Sequence, residues 1–554
     1  MSAAPLLSAI PLGGLGHVGG NMMVYETEDD LVVIDCGVLF PSVDQPGIDY
    51  IIPDVTYLTA RRHKIRGIVL THGHEDHLGA LPYVLPQLDV PVFGTRFTLA
   101  LLESRLGEHK ELRPDLRLIQ DHAPFKVGGL TVTAIPVAHS IPDAVALAID
   151  TPAGVILHTG DFKVDDHPRD GRMTDKQALS RLGDAGIVAL FSDSTNAGVP
   201  GHTTSEAVVA TTLATLVASA PHRVVVSAFS SNIHRLQSVV EASEAAGRKV
   251  VAVGRSMQQN TQLALERGYL KARFGAFVEL DQAQALRRDR ITVLASGTQG
   301  EPMSALSRLA AGEHGQLQLE PGDRVILSSR KIPGNERAIG TLVNHLYRLG
   351  VEVLDDHTPG VHASGHACAD EQREMLALCR PRFFVPVHGE YRHLVRHAAL
   401  ARDSGVDAAR ICIVEDGQPV ELWGQGADIR LVRGAAVQSG HVFVDGKGVG
   451  DVGEIVLRDR RVLAETGMVL CVVILREDGT LVGGPDIVTR GVVHVDANQE
   501  LLGRATEAVR KVLGDPGDCR DAANCAEKIR QTLRRFFRRE LDRRPLILPV
   551  VMSM

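Results

Sequence analysis

A surplus of positive charge, a long apolar run, a Cys-x-x-Cys pair and low-complexity stretches are all missing from this chain. The formal net charge is −8, so bulk charge attracts no polyanion, and any such partner must be met by local patches or metal ions. No apolar run approaches the roughly 20 residues of a membrane span. The N-terminus, Met1-Ser-Ala-Ala-Pro-Leu-Leu, has neither the basic region nor the apolar core of a signal peptide. The seven cysteines (Cys36, Cys368, Cys379, Cys412, Cys471, Cys519, Cys525) are odd in number. Buried thiols in a reducing cytoplasm are the simplest account of them. No internal repeat is visible, and 44% hydrophobic with 23% charged residues is an ordinary globular composition. At 554 residues the chain has room for about three to four domains.

What is present is chemistry at the ends of strands. Short apolar runs at 31–35, 67–70, 91–93, 130–137, 145–149, 154–158 and 187–191 read as buried strands, with a helical pattern at 97–106. Residues of ligand type follow them: Asp35, His72 to His77, His139, Asp161 and Asp193. This is the pattern of a layered α/β scaffold that carries its site on loops at one edge. From about Thr204 the texture becomes a strand–helix alternation, with helices at 205–218, 232–246, 257–267 and 336–349. The strands of this stretch fall at 223–228, 249–253, 291–295, 324–327 and 351–354, as in a parallel-sheet cassette. After about Asp370 the ligand-bearing texture resumes in Arg382-Phe-Phe-Val-Pro-Val-His388, so the cassette is expected to be an insertion. A last unit should follow the Gly-rich connector 445–451, with strands at 468–475, 486–495 and 546–552 and helices at 499–513 and 524–541. The second of these helices places Ile529, Leu533, Phe536, Phe537 and Leu541 on one face and Arg530, Arg534, Arg535, Arg538 and Arg539 on the others. The expected domains are 1–203 and 370–444 for the divided first domain, 204–369 for the insert, 445–462 for a linker and 463–554 for the C-terminal domain.

The densest chemistry is Thr71-His72-Gly73-His74-Glu75-Asp76-His77, directly after a strand. Histidine nitrogens suit zinc and manganese, and a carboxylate can neutralise charge or bridge two ions. His72 and His74 alternate and can aim at one centre, while Asp76 and His77 reach toward another. His139, Asp161 and His388 also follow strands. A lone histidine of this kind is usually structural, but three strand-end candidates beside an HxHxDH reverse that reading. Six or seven N/O ligands hold two metals rather than one. Two such ions clamp the attacking and leaving oxygens of an in-line phosphoryl displacement. The reaction class is metal-activated hydrolysis.

HGHEDH, His139 and the His158-Thr-Gly-Asp161 stretch resemble the metallo-β-lactamase superfamily. The inserted cassette, Phe191-Ser-Asp-Ser-Thr-Asn196, His362-Ala-Ser-Gly-His366 and Pro386-Val-His388 resemble its β-CASP nuclease branch. Within that branch the resemblance is to bacterial ribonuclease J. It is carried by Gly13-Gly-Leu-Gly, the SDSTNA stretch, Ser227-Ala-Phe-Ser-Ser-Asn-Ile-His234, Gly297-Thr-Gln-Gly-Glu-Pro-Met303, the 329–335 segment and Ile547-Leu-Pro-Val. The resemblance implies an α/β fold: an αββα metallo-β-lactamase sandwich, an inserted β-CASP domain and a small α/β C-terminal domain.

It also implies roles. His72, His74 and His139 would hold one metal and Asp76, His77 and His388 the other. Asp161 would bridge them, with a hydroxide as nucleophile. Asp193 and His366 match the acidic and histidine motifs of the β-CASP region, His366 as general acid. A histidine at 388 resembles the RNA-cleaving members. Ser231, Asn232 and Ile233 at a strand-to-helix turn, with His362, Ala363, Ser364, Gly365 and His366, match the substrate-contacting segments, which bind phosphate through backbone N–H groups and hydroxyls. For each, helix capping or turn formation is the alternative. Gly47, Asp49 and Asp445 match a structural divalent-ion site (Ca²⁺ or Mn²⁺).

The function so implied is a two-metal (Zn²⁺ or Mn²⁺) 5′–3′ exoribonuclease on 5′-monophosphorylated single-stranded RNA. It would have some endonuclease capacity, in mRNA decay and rRNA maturation. It would be cytoplasmic, away from membranes, a homodimer or homotetramer, with RNA-decay proteins as partners. A small-molecule hydrolase of thioesterase or lactonase type and an inactive scaffold subunit are the alternatives. The chain departs from the family at Gly13-Gly-Leu-Gly-His17-Val-Gly-Gly20-Asn21, where GGxGEIGKN is usual, and at Gly198, where an acidic residue is common.

Overall fold

The structure is a computed structural model and describes residues 4–42, 44–109, 111–332, 334–446, 448–494, 498–514 and 521–554. Cys519, the far end of the expected strand at 486–495, and single positions within the 329–335 and 445–451 stretches therefore lie outside the described residues. The six described cysteines are buried free thiols. Among the described residues no helix is long and apolar enough to cross a membrane.

Two mixed sheets face each other in the first compact unit, which comprises residues 1–40 and 51–442. One has eight strands, in the order Arg430–Arg433, Val420–Trp423, Leu7–Gly13, Met22–Glu26, Leu31–Ile34, Ile65–Val69, Val92–Gly94 and Leu116–Leu118. The other has six: Phe383–Val387, Ile187–Asp193, Gly154–His158, Val145–Thr151, Leu130–Pro136 and Pro124–Val127. Alternate residues of both sheets fill the space between them: Tyr25, Val32, Ile34 and Val69 from one, Val132, Leu147, Ile156, Phe191 and Val385 from the other. The opposite face of the six-stranded sheet (Ile135, Ala146, Leu157, Leu190, Phe384) is covered by Leu179 of helix Lys176–Ala185 and by Met375 and Leu376 of helix Ala369–Cys379. Strands buried on both faces must read as continuous apolar runs, which is why they were visible in the sequence.

The insert is a five-stranded all-parallel sheet in the order Lys249–Val253, Ile291–Ala295, Val224–Ser227, Arg324–Leu327 and Glu352–Leu354. The chain then returns to the first scaffold, where Phe383–Val387 pairs in parallel with Ile187–Asp193. A buried charge cluster lies where the insert begins. Arg235 makes a bidentate pair with Glu206 (Nη2 to Oε1 3.0 Å and Oε2 3.1 Å), and Lys163 Nζ lies 3.3 Å from Asp165 and 3.8 Å from Glu206.

The second unit comprises residues 41–50 and 443–554. Its sheet runs Leu481–Arg490, Met468–Leu475, Leu546–Ser553. Helices Gln499–Val512 and Ala522–Leu541 pack on one face through Val509, Ile529, Leu533 and Phe537 against Val469, Cys471 and Val473. The arginine-rich faces of the last helix are exposed, as its periodicity requires. Two expectations differ. The strand expected at 486–495 spans Leu481–Arg490 instead. Helix Glu454–Thr466 occupies part of the stretch expected as a linker. It buries only Leu457, too sparse an apolar stripe to be read against the glycines before it.

Candidate metal centre

Each ligand-type residue sits where a strand ends. Ile65–Val69 delivers His72, Gly154–His158 delivers Asp161, Ile187–Asp193 ends on Asp193, and Phe383–Val387 delivers His388. A short helix, Glu75–Leu78, turns His77 back beside His72, with ring centroids 4.0 Å apart. His388 has φ +56°, a left-handed conformation that costs energy for a side chain other than glycine. The parallel pairing of Leu15 with Gly389, and a hydrogen bond from Gly389 N to Gly14 O (3.2 Å), brace that turn.

Six of the seven residues expected as active-site ligands gather around the seventh, Asp161. Its Oδ2 lies 3.6 Å from His72 Nε2, 3.3 Å from His77 Nε2 and 3.8 Å from His139 Nε2, and its Oδ1 is 3.5 Å from His388 Nε2. His74 Nδ1 is 3.0 Å from His72 Nε2 and 3.1 Å from His139 Nε2. Asp76 Oδ2 lies 3.6 Å from His77 Nε2 and 3.7 Å from His388 Nε2. His72, His74, His139 and Asp161 lie close enough to hold one ion, as do Asp76, His77, Asp161 and His388, and also Asp161, Asp193, His366 and His388. Asp161 Oδ1 and His388 Nε2 are buried without a hydrogen-bond partner. Buried polar atoms are costly to leave unsatisfied, and convergent imidazole and carboxylate donors are a set that divalent metals take. The residues therefore fit the implied ions.

The nitrogens turned away from Asp161 are held. His77 Nδ1 is 2.8 Å from Asp35 Oδ2, and Asp35 also accepts from Thr71 N and Thr71 Oγ1, each at 2.8 Å. His72 Nδ1 lies 3.0 Å from Thr71 Oγ1, and His139 Nδ1 donates to Gly365 O at 2.7 Å. His388 Nδ1 is 2.7 Å from Thr195 Oγ1. Such partners fix which ring nitrogen faces a metal. Asp35 stood out in the sequence only as one strand-end carboxylate among several; Thr71, Thr195 and Asn21, whose Nδ2 donates to Asp76 O (3.0 Å), gave no signal of their own.

Charge follows position. Burial alone would lower His77 and His388, but the surrounding carboxylates, Asp161 foremost, hold both well above the usual histidine range. Burial and neighbouring imidazoles push His72 and His139 well below it, and burial takes His74 down to about 4. His366 lies at the rim, with Nδ1 2.9 Å from Asp193 Oδ2. Burial would lower it, but Asp193 and Asp161 outweigh that and raise it.

The expected substrate contacts divide. Ser364 Oγ accepts from Asn196 Nδ2 (2.9 Å) and from His366 N (3.2 Å). His362 is buried with Nδ1 unpartnered, and Ala363 is buried. Asn232 is a helix cap, its side chain accepting from Arg235 N at 3.0 Å. Ile233 is in the core and Ser231 is half-buried. Gly47 and Asp445 meet at the Arg460 guanidinium in the second unit, and Asp49 bonds the backbone beside Asp445. Arg460 pairs with Asp445 and donates to Gly47 O (3.2 Å), while Asp49 Oδ2 accepts from Gly446 N (2.8 Å). His17 lies 3.5 Å from Asp416 Oδ2, yet the two do not form an ion pair. Gly14 N donates into His17 Nε2 at 3.3 Å, which requires the neutral ring. Burial takes His17 down to about 4 and Asp416 up to about 7.

Family models match most of the chain: a beta-lactamase superfamily domain over 32–216, the ribonuclease J beta-CASP domain over 221–346, a Zn-dependent metallo-hydrolase RNA specificity domain over 360–410 and the ribonuclease J C-terminal domain over 455–554. Ribonuclease J of Thermus thermophilus is 40% identical over 554 residues, covering 98% of this chain and 95% of the relative. The chain belongs to the ribonuclease J family. Ribonuclease J2 of Bacillus subtilis is 37% identical, covering 98% of each chain, and ribonuclease J of Corynebacterium glutamicum is 39% identical, covering 98% of this chain and 75% of the relative. A solved Enterococcus faecalis protein of unknown function shares the fold, with a TM-score of 0.53 and 18% identity over 75% of this chain and all of the other. The expected class, a metal-dependent RNA hydrolase, agrees with these ribonuclease J matches.

Proposed function

We propose that the chain is a 5′–3′ exoribonuclease acting on 5′-monophosphorylated single-stranded RNA, with endonuclease capacity, in mRNA decay and rRNA maturation. The carrying observation is the placement of Asp161, whose carboxylate lies within 3.8 Å of histidines of both groups and whose Oδ1, like His388 Nε2, is buried without a partner. His72, His74 and His139 would hold one ion and Asp76, His77 and His388 the other, with Asp161 between them. When bound, zinc or manganese ions lower the pKa of a coordinated water and neutralise charge developing on the phosphate.

The chain's own residues supply the rest. Asp193 accepts from His366 Nδ1 and so keeps that imidazole protonated, leaving Nε2 to give its proton to the departing 3′-oxygen. Asp35, Thr71 and Thr195 hold the ligand rings in one orientation. A structural ion at Gly47, Asp49 and Asp445 would have to displace Arg460. Val488, Leu548, Val550 and Met552 are exposed on the sheet face of the second unit away from its helices, which favours a homodimer or homotetramer. The test is mononucleotide release from 5′-monophosphorylated RNA with Mn²⁺ or Zn²⁺, with and without chelator. Release should vanish in His74→Ala; thioester turnover without RNA loss would overturn the reading.

A further inference from the structure

The adjacent basic residues Arg330 and Lys331 follow strand Arg324–Leu327 at the edge of the inserted cassette. Their surroundings differ. Lys331 Nζ is neutralised by Asp356 at 3.0 Å and Asp355 at 3.9 Å. Arg330 is exposed and has no acidic partner among the described residues; its guanidinium makes one hydrogen bond, from Nη1 to Asn196 Oδ1 at 3.0 Å. That bond is directed. The same Asn196 amide gives its Nδ2 hydrogens to Ser364 Oγ (2.9 Å) and to the backbone carbonyl of His366 (3.0 Å), and Asn196 is buried. The other end of Arg330 is also fixed, its carbonyl accepting from Gln299 Nε2 at 3.0 Å. An arginine anchored at backbone and at one nitrogen, with the rest of its planar fork free, is preorganised to bind an oxyanion such as phosphate.

Position says which anion. His366 turns its imidazole toward Asp193 and Asp161 and its carbonyl toward Asn196. Arg330 is thus tied, through the other end of the Asn196 amide, to the Ser364 hydroxyl and the His366 carbonyl. A phosphate seated over Asp161 leaves this place to the neighbouring phosphate of the same strand. In an exonuclease that removes one nucleotide from the 5′ end, that neighbour is the terminal 5′-phosphate. We propose that Arg330, held by Asn196 beside Ser364, is the specificity residue that binds the terminal 5′-phosphate of the RNA. This rests on the exonuclease reading above.

The test compares 5′-monophosphorylated with 5′-hydroxyl single-stranded RNA of one sequence, using the full-length, metal-loaded protein. Arg330→Gln is expected to raise KM for the monophosphorylated RNA about 10- to 100-fold, the weight of a charge-assisted contact. Turnover at saturation and cleavage of the hydroxyl RNA should stay near those of the parent. Arg330→Lys should recover part of the loss, and Lys331→Gln should change neither substrate. Equal losses on both RNAs would make Arg330 a brace for Asn196 and overturn the proposal, as would an unchanged KM. Both outcomes leave the exonuclease reading intact if the parent prefers the monophosphate. A parent indifferent to the 5′ group overturns both.

Discussion

His139 and Gly365, 226 positions apart in the chain, are joined by a hydrogen bond of 2.7 Å from the imidazole Nδ1 to the backbone carbonyl. Through it the segment closing the insert sets the orientation of a candidate metal ligand on the first scaffold. A Cβ on Gly365 would lie 2.7 Å from His139 Cε1 and 2.8 Å from Ser140 Oγ. Gly365→Ala is therefore expected to displace His139 and to weaken metal binding by about 10- to 100-fold, the range for disturbed supporting contacts. Titration of the chelator-stripped protein with Zn²⁺ checks this directly.

Asp35 supports His77 and is itself fixed by Thr71. Asp35→Asn removes the charge while keeping the size. It should lower metal affinity about 10- to 100-fold and lower RNA cleavage at limiting metal, with partial rescue by excess metal. Metal content after dialysis, measured beside activity, is the readout.

Asp416 provides a pH-dependent stability of its own, outside the candidate metal ligands. Burial raises its carboxyl from 3.8 to about 7. Below the lower value the folded and unfolded chains both carry the proton; between the two values only the folded chain does. Its contribution is therefore fully present in acid and is lost as pH rises toward about 7. Asp416→Asn keeps the acceptor for Leu15 N (3.1 Å) and cannot ionise. The variant should melt with the parent near pH 4 and above it by a gap that widens to pH 7 and then stays constant. Paired thermal melts across this range decide it.

Arg235 is fully buried, bonded to Glu206, Ser328 and the Val361 carbonyl. Arg235→Ala leaves Glu206 buried, with Lys163 Nζ at 3.8 Å. Removing one partner of a buried pair costs about 3–5 kcal/mol. A matching fall in unfolding midpoint is expected, with the largest gain in hydrogen exchange in the insert.

In the second unit, Arg460 supplies the positive charge among Gly47, Asp49 and Asp445. Adding Ca²⁺ is expected to leave the parent's melting temperature unchanged. In Arg460→Ala the freed Asp445 carboxylate and Gly47 carbonyl should make melting respond to Ca²⁺, as a ligand bound only by the folded state requires.

The sequence by itself determined the strands, the insertion and the seven candidate ligand residues that the fold gathers around Asp161. Strands such as Val32–Ile34 and Val224–Ser227 are apolar on both faces because both are covered. A polar loop straight after such a run, as at His72 and His388, has only the sheet edge to occupy. The C-terminal helix could be read because Ile529, Leu533 and Phe537 repeat at the helical period. Tertiary structure alone decided the residues that hold the ligands. Thr195 beside His388 and Gly365 beneath His139 are ordinary polar and small residues whose partners lie 193 and 226 positions away. It also made Asn232 a helix cap, and it set Arg460 among the residues expected to bind an ion. His72 to His77 carry their chemistry in residue type and spacing, which the chain displays. Which nitrogen of each ring faces Asp161, and which basic residue at the rim is left without a counter-charge, depend on contacts between distant segments, and those exist only once the sheets and the insert have closed on one another.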